Sequence, residues 1–187
     1  MMKLFGILLL IAALASVSVF SAQEQSQANP VEAVNIKLKG IDGRVYDTAE
    51  MRGSVLLVSF GATWCVPCKD ELIALEELKK EYKEKPVKFL WVSIDDADQM
   101  TDGELRSYAR RYRLTFPVLR DTTRFTFAQF TSRVRLPMVV FYDKQGNLVP
   151  PTHFGMSGTP DIYKKRMRDR LDQILSAQPG TNAVSGN

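Results

Sequence analysis

The 187-residue sequence predicts an α/β fold in which a mixed central sheet is flanked by helices. Three observations carry that expectation. Strand-like apolar runs alternate with segments of helical spacing. One of those runs, Ser54 to Phe60, is apolar along its length, which suits a strand buried on both faces. The chain then closes with strand, turn, strand and a long amphipathic helix.

The elements follow in order. "VNIKLKG" and "RVYDT" alternate on either side of Ile41-Asp42-Gly43, the pattern of an antiparallel N-terminal hairpin. After the Ser54–Phe60 strand a helix starts near Cys65, with Leu72, Leu75, Leu78 and Tyr82 on one face and Pro86 as its stop. "VKFLWVSID" is the next strand. Thr101 to Glu104 has capping-box spacing ahead of a face made by Leu105, Tyr108, Ala109 and Tyr112. "FAQFTSRV" reads as a short helix, and Phe125, Phe127 and Phe130 read as core. "MVVFYD", "KQGN" and "LVPPTHF" read as strand, turn and strand, with His153 exposed on the second strand. The last helix has Thr159 as N-cap and Pro160 at its first position, with Ile162, Met167, Leu171, Ile174 and Leu175 facing inward.

The termini differ from this body. Residues 1–21 hold one cation, Lys3, then an apolar run and small residues, the pattern of a signal peptide or membrane anchor. Ala13-Leu14-Ala15 and Val19-Phe20-Ser21 are candidate cleavage points. As a helix, Leu4 to Phe20 would span about 25 Å, short of the roughly 30 Å hydrocarbon core, which favours cleavage. No cysteine precedes Cys65, so an N-terminal lipid anchor is not expected. Residues 22–33 read as a polar linker, 34–177 as one domain, and 178–187 as a disordered tail. Export to a periplasmic or other extracytoplasmic space, where disulfides persist, follows from either reading of the first segment. The net charge of +4 is a weak surplus, though Glu104 to Arg135 carries eight Arg against two acids. A solvated basic face, an acidic partner or anionic lipid fits it, and nucleic acid is not expected.

The chain's two cysteines, Cys65 and Cys68, lie three apart in "GATWCVPCKDE", with Val66 and Pro67 between them. A thiol at the start of a helix lies near free backbone N–H groups and the positive end of the helix dipole. That placement lowers its pKa and makes it the attacking thiolate. Cys68, one turn further in, can resolve the resulting mixed disulfide. A purely structural cystine closing so small a loop would stabilise by only about 2 kcal/mol. Zinc would need more than two Cys and His153, and a copper site has an equally thin ligand set. No metal is expected, and the redox group is the Cys65–Cys68 dithiol itself, with no other cofactor. On residues alone, Glu71 also fits a surface acid beside Lys69 and Lys79. Trp64 also fits plain packing, and Pro137 a trans proline at a strand edge.

"SFGATWCVPC" after an apolar strand resembles the active-site segment of the thioredoxin superfamily. Glu71 in "CVPCKDE", then "FLWVSIDD", "YRLTFPVLRD" and "RLPMVVFYDKQGNLV", follow the order of its extracytoplasmic TlpA, ResA and DsbE branch, over about Val34 to Leu175. The resemblance implies a thioredoxin-like fold with a short helical insert before a cis-proline. It casts Cys65 as attacking thiol, Cys68 as resolving thiol, Pro137 as the cis-proline beside them and Glu71 as a partly buried proton carrier. Burial of Glu71 should raise its pKa toward neutrality. Trp64, Val66, Pro67 and Leu136 would form the substrate-facing rim, with the backbone beside Pro137 pairing to an incoming chain.

The sequence also departs from the superfamily pattern. Ser59 stands where plain thioredoxins carry a buried Asp, so the proton relay falls more heavily on Glu71. Gly61 replaces a common aromatic, implying an open floor under the site. Leu136 is bulky for the residue before the cis-proline, and Ile73 replaces a proline after the glutamate. The resemblance implies an extracytoplasmic reductase of protein disulfides, monomeric, fed by a membrane thiol carrier and serving apocytochrome c among its targets. An oxidant or isomerase, a peroxide reductase and a copper chaperone are the alternatives. Only 68 residues separate Cys68 from Pro137, too few for the large helical insertion of a DsbA-type oxidase, and the N-terminus is too short for an isomerase's dimerisation domain. The Pro-x-x-x-Thr-x-x-Cys pattern of peroxiredoxins fails at Val58 and Ala62.

Overall fold

The computed structural model describes residues 34–156 and 158–177. The signal or anchor segment 1–21, the linker 22–33 and the tail 178–187 lie outside the described residues.

The sequence orders its elements as β1 (Lys37–Lys39), β2 (Val45–Asp47), a 3-10 turn (Thr48–Met51), β3 (Val55–Gly61), α1 (Val66–Glu81), β4 (Val87–Ser93), α2 (Asp102–Arg111), β5 (Val118–Arg120), α3 (Phe125–Ala128), β6 (Met138–Tyr142), β7 (His153–Phe154) and α4 (Pro160–Ser176). β1 and β2 form the expected hairpin. The other five strands form one mixed sheet in the order β5-β4-β3-β6-β7. β4 runs parallel to β3 and β5, whereas β6 runs antiparallel to β3 and β7. The hairpin covers the β5 edge through Ile41 N, which donates to Val118 O at 2.9 Å. β3 is buried at every residue, as its apolar run predicts, and sits at the centre of the sheet.

Alternation along β3 divides the core. Leu56, Val58 and Phe60 face one side, where they pack with Ile36, Phe127, Cys65 and Cys68. Val55 and Leu57 face the other, where α1, α2 and α4 lie. Ser59 therefore points under the helices. It pairs with Trp91 on β4 and Val139 on β6, and Val139 pairs with His153 on β7. Paired residues share a face, so one row, Trp91-Ser59-Val139-His153, crosses the sheet beneath α1 and α4.

α4 is fastened alongside α1. Tyr82 Oη donates to Asp172 Oδ1 at 2.9 Å, Arg168 grips Glu81 at 2.7 and 2.8 Å, and Lys164 meets Glu77 at 2.5 Å. Exposed ion pairs contribute little stability singly. Together they fix how far along α1 the last helix sits.

Four expectations need correction. The short helix spans Phe125–Ala128, so residues 129–134 of "FAQFTSRV" are not in it. Asp121 moves its start upstream by accepting from Thr126 N at 3.3 Å and Phe127 N at 2.8 Å. Phe125 is exposed rather than core. The second closing strand shrinks to two residues because Pro150-Pro151 offers no N–H to a ladder; Leu148 makes only an isolated bridge. The inward residue at the start of α4 is Tyr163, not Ile162, which is 46% exposed.

Candidate active site

The loop from β3 to α1 is held from below. Thr63 N lies 3.1 Å from each Asp95 carboxylate oxygen, Thr63 Oγ1 donates to Oδ1 at 2.8 Å, and Ser93 Oγ donates to Oδ2 at 2.7 Å. Cys65 N donates to Ala62 O at 3.1 Å and closes the turn. Cys65 is the N-cap of α1 in extended conformation, and Pro67 lies in the first turn where its missing N–H costs nothing. No side chain caps the helix, and Cys65 stands at the positive end of its dipole.

Cys65 and Cys68 are joined in a disulfide, with Cα atoms 5.3 Å apart. Cys68 is fully buried and Cys65 is 4% exposed. Their neighbours Trp64 and Val66 are 52% and 70% exposed. A buried cystine flanked by exposed apolar side chains can be approached from one side only, the side of Cys65.

Glu71 lies one turn beyond Cys68 on the same face of α1 and is fully buried, more deeply than the sequence implied. Burial without a counter-ion pushes its carboxyl up to about 8. Two hydroxyls oppose the shift. Tyr163 Oη donates to Oε1 at 2.6 Å and Ser59 Oγ donates to Oε2 at 2.9 Å. Ser59 is thus part of the same buried cluster as Glu71.

The Leu136–Pro137 peptide is cis. Leu136 and Met138, on either side of Pro137, pack in the apolar cluster that contains Cys65 and Cys68. Pro137 O accepts from Gly155 N at 2.7 Å, which ties this corner to β7. His153 is half-buried there, not exposed, with its ring edge-on to Tyr163 at 5.7 Å between centroids. Burial lowers its pKa, so the neutral ring is favoured at pH 7.

The floor below the site is filled, contrary to the expectation from Gly61. A Cβ at Gly61 would stand 2.6 Å from Trp91 Nε1 and 3.1 Å from Cε2. Trp91 is fully buried and stacked on Tyr108 at 5.9 Å, so an aromatic from β4 occupies the space that the side chain of residue 61 would take. Gly61→Ala should therefore destabilise the protein by about 1–3 kcal/mol, because the indole cannot retreat. A thermal melt checks this: a fall of several degrees is expected, and an unchanged midpoint would show that Trp91 moves aside.

Sequence reasoning singled out Cys65, Cys68, Glu71 and Pro137 as candidates but not Tyr163, Trp91 or Asp95. Tyr163 had a visible signal, since Tyr163, Met167, Leu171 and Ile174 keep helical spacing through α4. The roles of Trp91 and Asp95 depend on strand pairing, which local pattern does not show.

The AhpC/TSA family profile matches residues 31–150. Thioredoxin-like protein YneN of Bacillus subtilis (strain 168) is 29% identical over 153 residues, covering 82% of this chain and 84% of its own length. Thiol-disulfide oxidoreductase ResA of Bacillus cereus is 28% identical over 156 residues, covering 83% and 81%. Among solved structures, a secreted Mycobacterium tuberculosis disulfide oxidoreductase homologous to E. coli DsbE superposes with a TM-score of 0.60 at 20% identity, over 73% of this chain and 96% of its own. That last likeness establishes the thioredoxin fold, and the profile match establishes the family. The chain belongs to the AhpC/TSA family, and within it resembles the ResA- and DsbE-like thiol–disulfide oxidoreductases.

Proposed function

We propose that the protein is an exported thiol–disulfide oxidoreductase that reduces disulfides in other proteins. The observation that carries this reading is the Cys65–Cys68 disulfide at the N-terminus of α1, with its outer sulfur beside exposed Trp64 and Val66 and a buried acid one turn behind. In the dithiol form, the Cys65 thiolate attacks a partner disulfide and the first partner sulfur leaves as a thiolate. Cys68 gives up its proton and attacks Cys65, releasing the second partner sulfur. One partner disulfide becomes two thiols and the enzyme dithiol becomes a disulfide. Glu71 takes the Cys68 proton in this reading, and the protonated carboxyl favoured by burial is the product of that step. The cycle needs no further cofactor.

The reducing direction is supported by what lies between Cys68 and Pro137. That stretch holds α2 and the four-residue α3 but no large helical insertion of the DsbA type. Electrons would come from a membrane thiol carrier, and apocytochrome c cysteines are among the targets this reading admits. The apolar segment near the N-terminus supports work outside the cytoplasm, and residues 4–20 tether the protein to the membrane where they are retained. The pattern that peroxide reduction requires is missing, as Val58 and Ala62 stand in its Pro and Thr positions.

Equilibrating the protein against a thiol–disulfide buffer gives the reduction potential of the Cys65–Cys68 pair. A value near or below about −220 mV is expected of a reductant. A value near about −120 mV would make the protein an oxidant of newly exported thiols.

A further inference from the structure

Glu71 is a buried acid supported from two other elements, and the two supports differ. Ser59 is a small hydroxyl on the central strand. Tyr163 reaches in from α4, at the far end of the sequence, and makes the shorter hydrogen bond, 2.6 Å against 2.9 Å. All three side chains are fully buried. Behind Tyr163 stands the His153 ring, and His153 Nε2 lies 3.0 Å from Gly155 O. The same Gly155 donates its N–H to Pro137 O at 2.7 Å. A continuous line of contacts thus runs from the corner carrying the cis-proline, through Gly155, His153 and Tyr163, to the acid one turn along α1 from Cys68.

We propose that Tyr163 is a positioning residue of the exchange reaction: its hydroxyl holds Glu71 where the carboxylate takes the Cys68 proton, and it sets the pH range over which that transfer works. The inference rests on the reading of Glu71 as the acceptor of that proton. In the release step the proton passes from Cys68 Sγ to the Glu71 carboxylate. The Cys68 sulfur bonds to the Cys65 sulfur and the Cys65–partner S–S bond breaks. The electron pair leaves on the partner sulfur, which takes a proton from solvent. Cys68 is oxidised and the partner sulfur is reduced.

A carboxylate in an apolar setting depends on the donors around it, because a bare buried charge is very costly. Here those donors are two neutral hydroxyls. Each favours the carboxylate, opposing the burial that favours the acid. The other titratable groups nearby are shifted away from the range in which Glu71 titrates. Burial and the neighbouring Glu71 raise Tyr163 well above its ordinary value, so it remains a donor. Tyr108 of α2 is raised by burial, and more weakly by Tyr112, Asp95 and Glu71. Burial lowers the pKa of His153 of β7, and the charge of Arg166 does so more weakly, against its contact with Gly155 O. Of these four groups, Glu71 is the one shifted toward the middle of the pH range.

The experiment follows how fast the full chain resolves a mixed disulfide between Cys65 and glutathione, from pH 5 to pH 10. In the wild type the rate should rise as Glu71 loses its proton, and Glu71→Gln should lose that limb. Tyr163→Phe removes one donor to the carboxylate. It should move the limb up by about one pH unit, the size of one hydrogen bond to a charge. A fluorinated tyrosine placed at 163 keeps the shape and strengthens the donor, so it should move the limb down. This second variant decides the matter if Tyr163→Phe fails to fold. A role confined to packing would lower stability and leave the limb in place. A limb lost in Glu71→Gln but unmoved by changes at 163 overturns the inference and leaves the role of Glu71 standing. A limb that survives Glu71→Gln overturns both.

Discussion

Cys68→Ser is expected to accumulate partner proteins in mixed disulfides through Cys65, while Cys65→Ser accumulates none. Either change should lower turnover about a thousandfold or more, because a hydroxyl at ordinary pH cannot replace a thiolate as nucleophile or resolver. The asymmetry comes from burial. Cys68 has no exposed surface, whereas Cys65 keeps a small exposed edge between Trp64 and Val66. The helix N-terminus also favours the thiolate at Cys65, the N-cap, over Cys68 inside the first turn. The measurement is a non-reducing gel of each variant after incubation with a disulfide-bonded, unfolded protein. Equal trapping by both variants would show that the order of attack is reversed or random.

The second large effect is on stability. Glu71 ionises near pH 4.5 in an unfolded chain but only near about 8 when folded. A raised folded value means that the native state binds the proton more tightly than the unfolded state. Stability is therefore full below the unfolded value and declines as pH climbs from about 4.5 toward 8, with little further change above. At about 1.4 kcal/mol per unit, the loss over that window amounts to several kcal/mol. Glu71→Gln cannot ionise and should remove this slope. Urea unfolding at pH 5 and pH 8 tests the point: the difference in stability between the two pH values should be several kcal/mol smaller in the variant. Equal slopes would mean that water reaches Glu71 and that its carboxyl is not desolvated.

Much of this architecture was legible in the sequence, and the legible parts share a cause. β3 was readable because a strand covered on both faces must be apolar throughout. α2 was readable because Thr101 and Glu104 bond each other's backbone, as their spacing requires: Thr101 Oγ1 accepts from Glu104 N, and Glu104 Oε2 from Thr101 N. The cysteine pair and Glu71 were readable because they are close in sequence. The missed parts depend on contacts between distant segments. The start of α3 is set by Asp121, whose capping role is visible only once the turn at Arg124 is formed. The floor under Gly61 is filled by Trp91, thirty positions later in the chain, through the register of β3 on β4. Tyr163 looked like one more member of an apolar stripe because nothing local distinguishes a tyrosine that seals a core from one that serves an acid.

The distance along the chain between Glu71 and Tyr163 has a consequence for timing. Synthesis proceeds from the N-terminus. Both thiols and their acid are therefore in place more than ninety residues before the α4 tyrosine arrives. Until α4 docks against α1, Glu71 lacks its shorter hydrogen bond and the surface beneath it lacks a cover. A nascent or truncated chain thus has the reagents for disulfide exchange without the arrangement that governs them. The arranged site appears only when α4 closes over α1, so competence for the reaction waits on that docking.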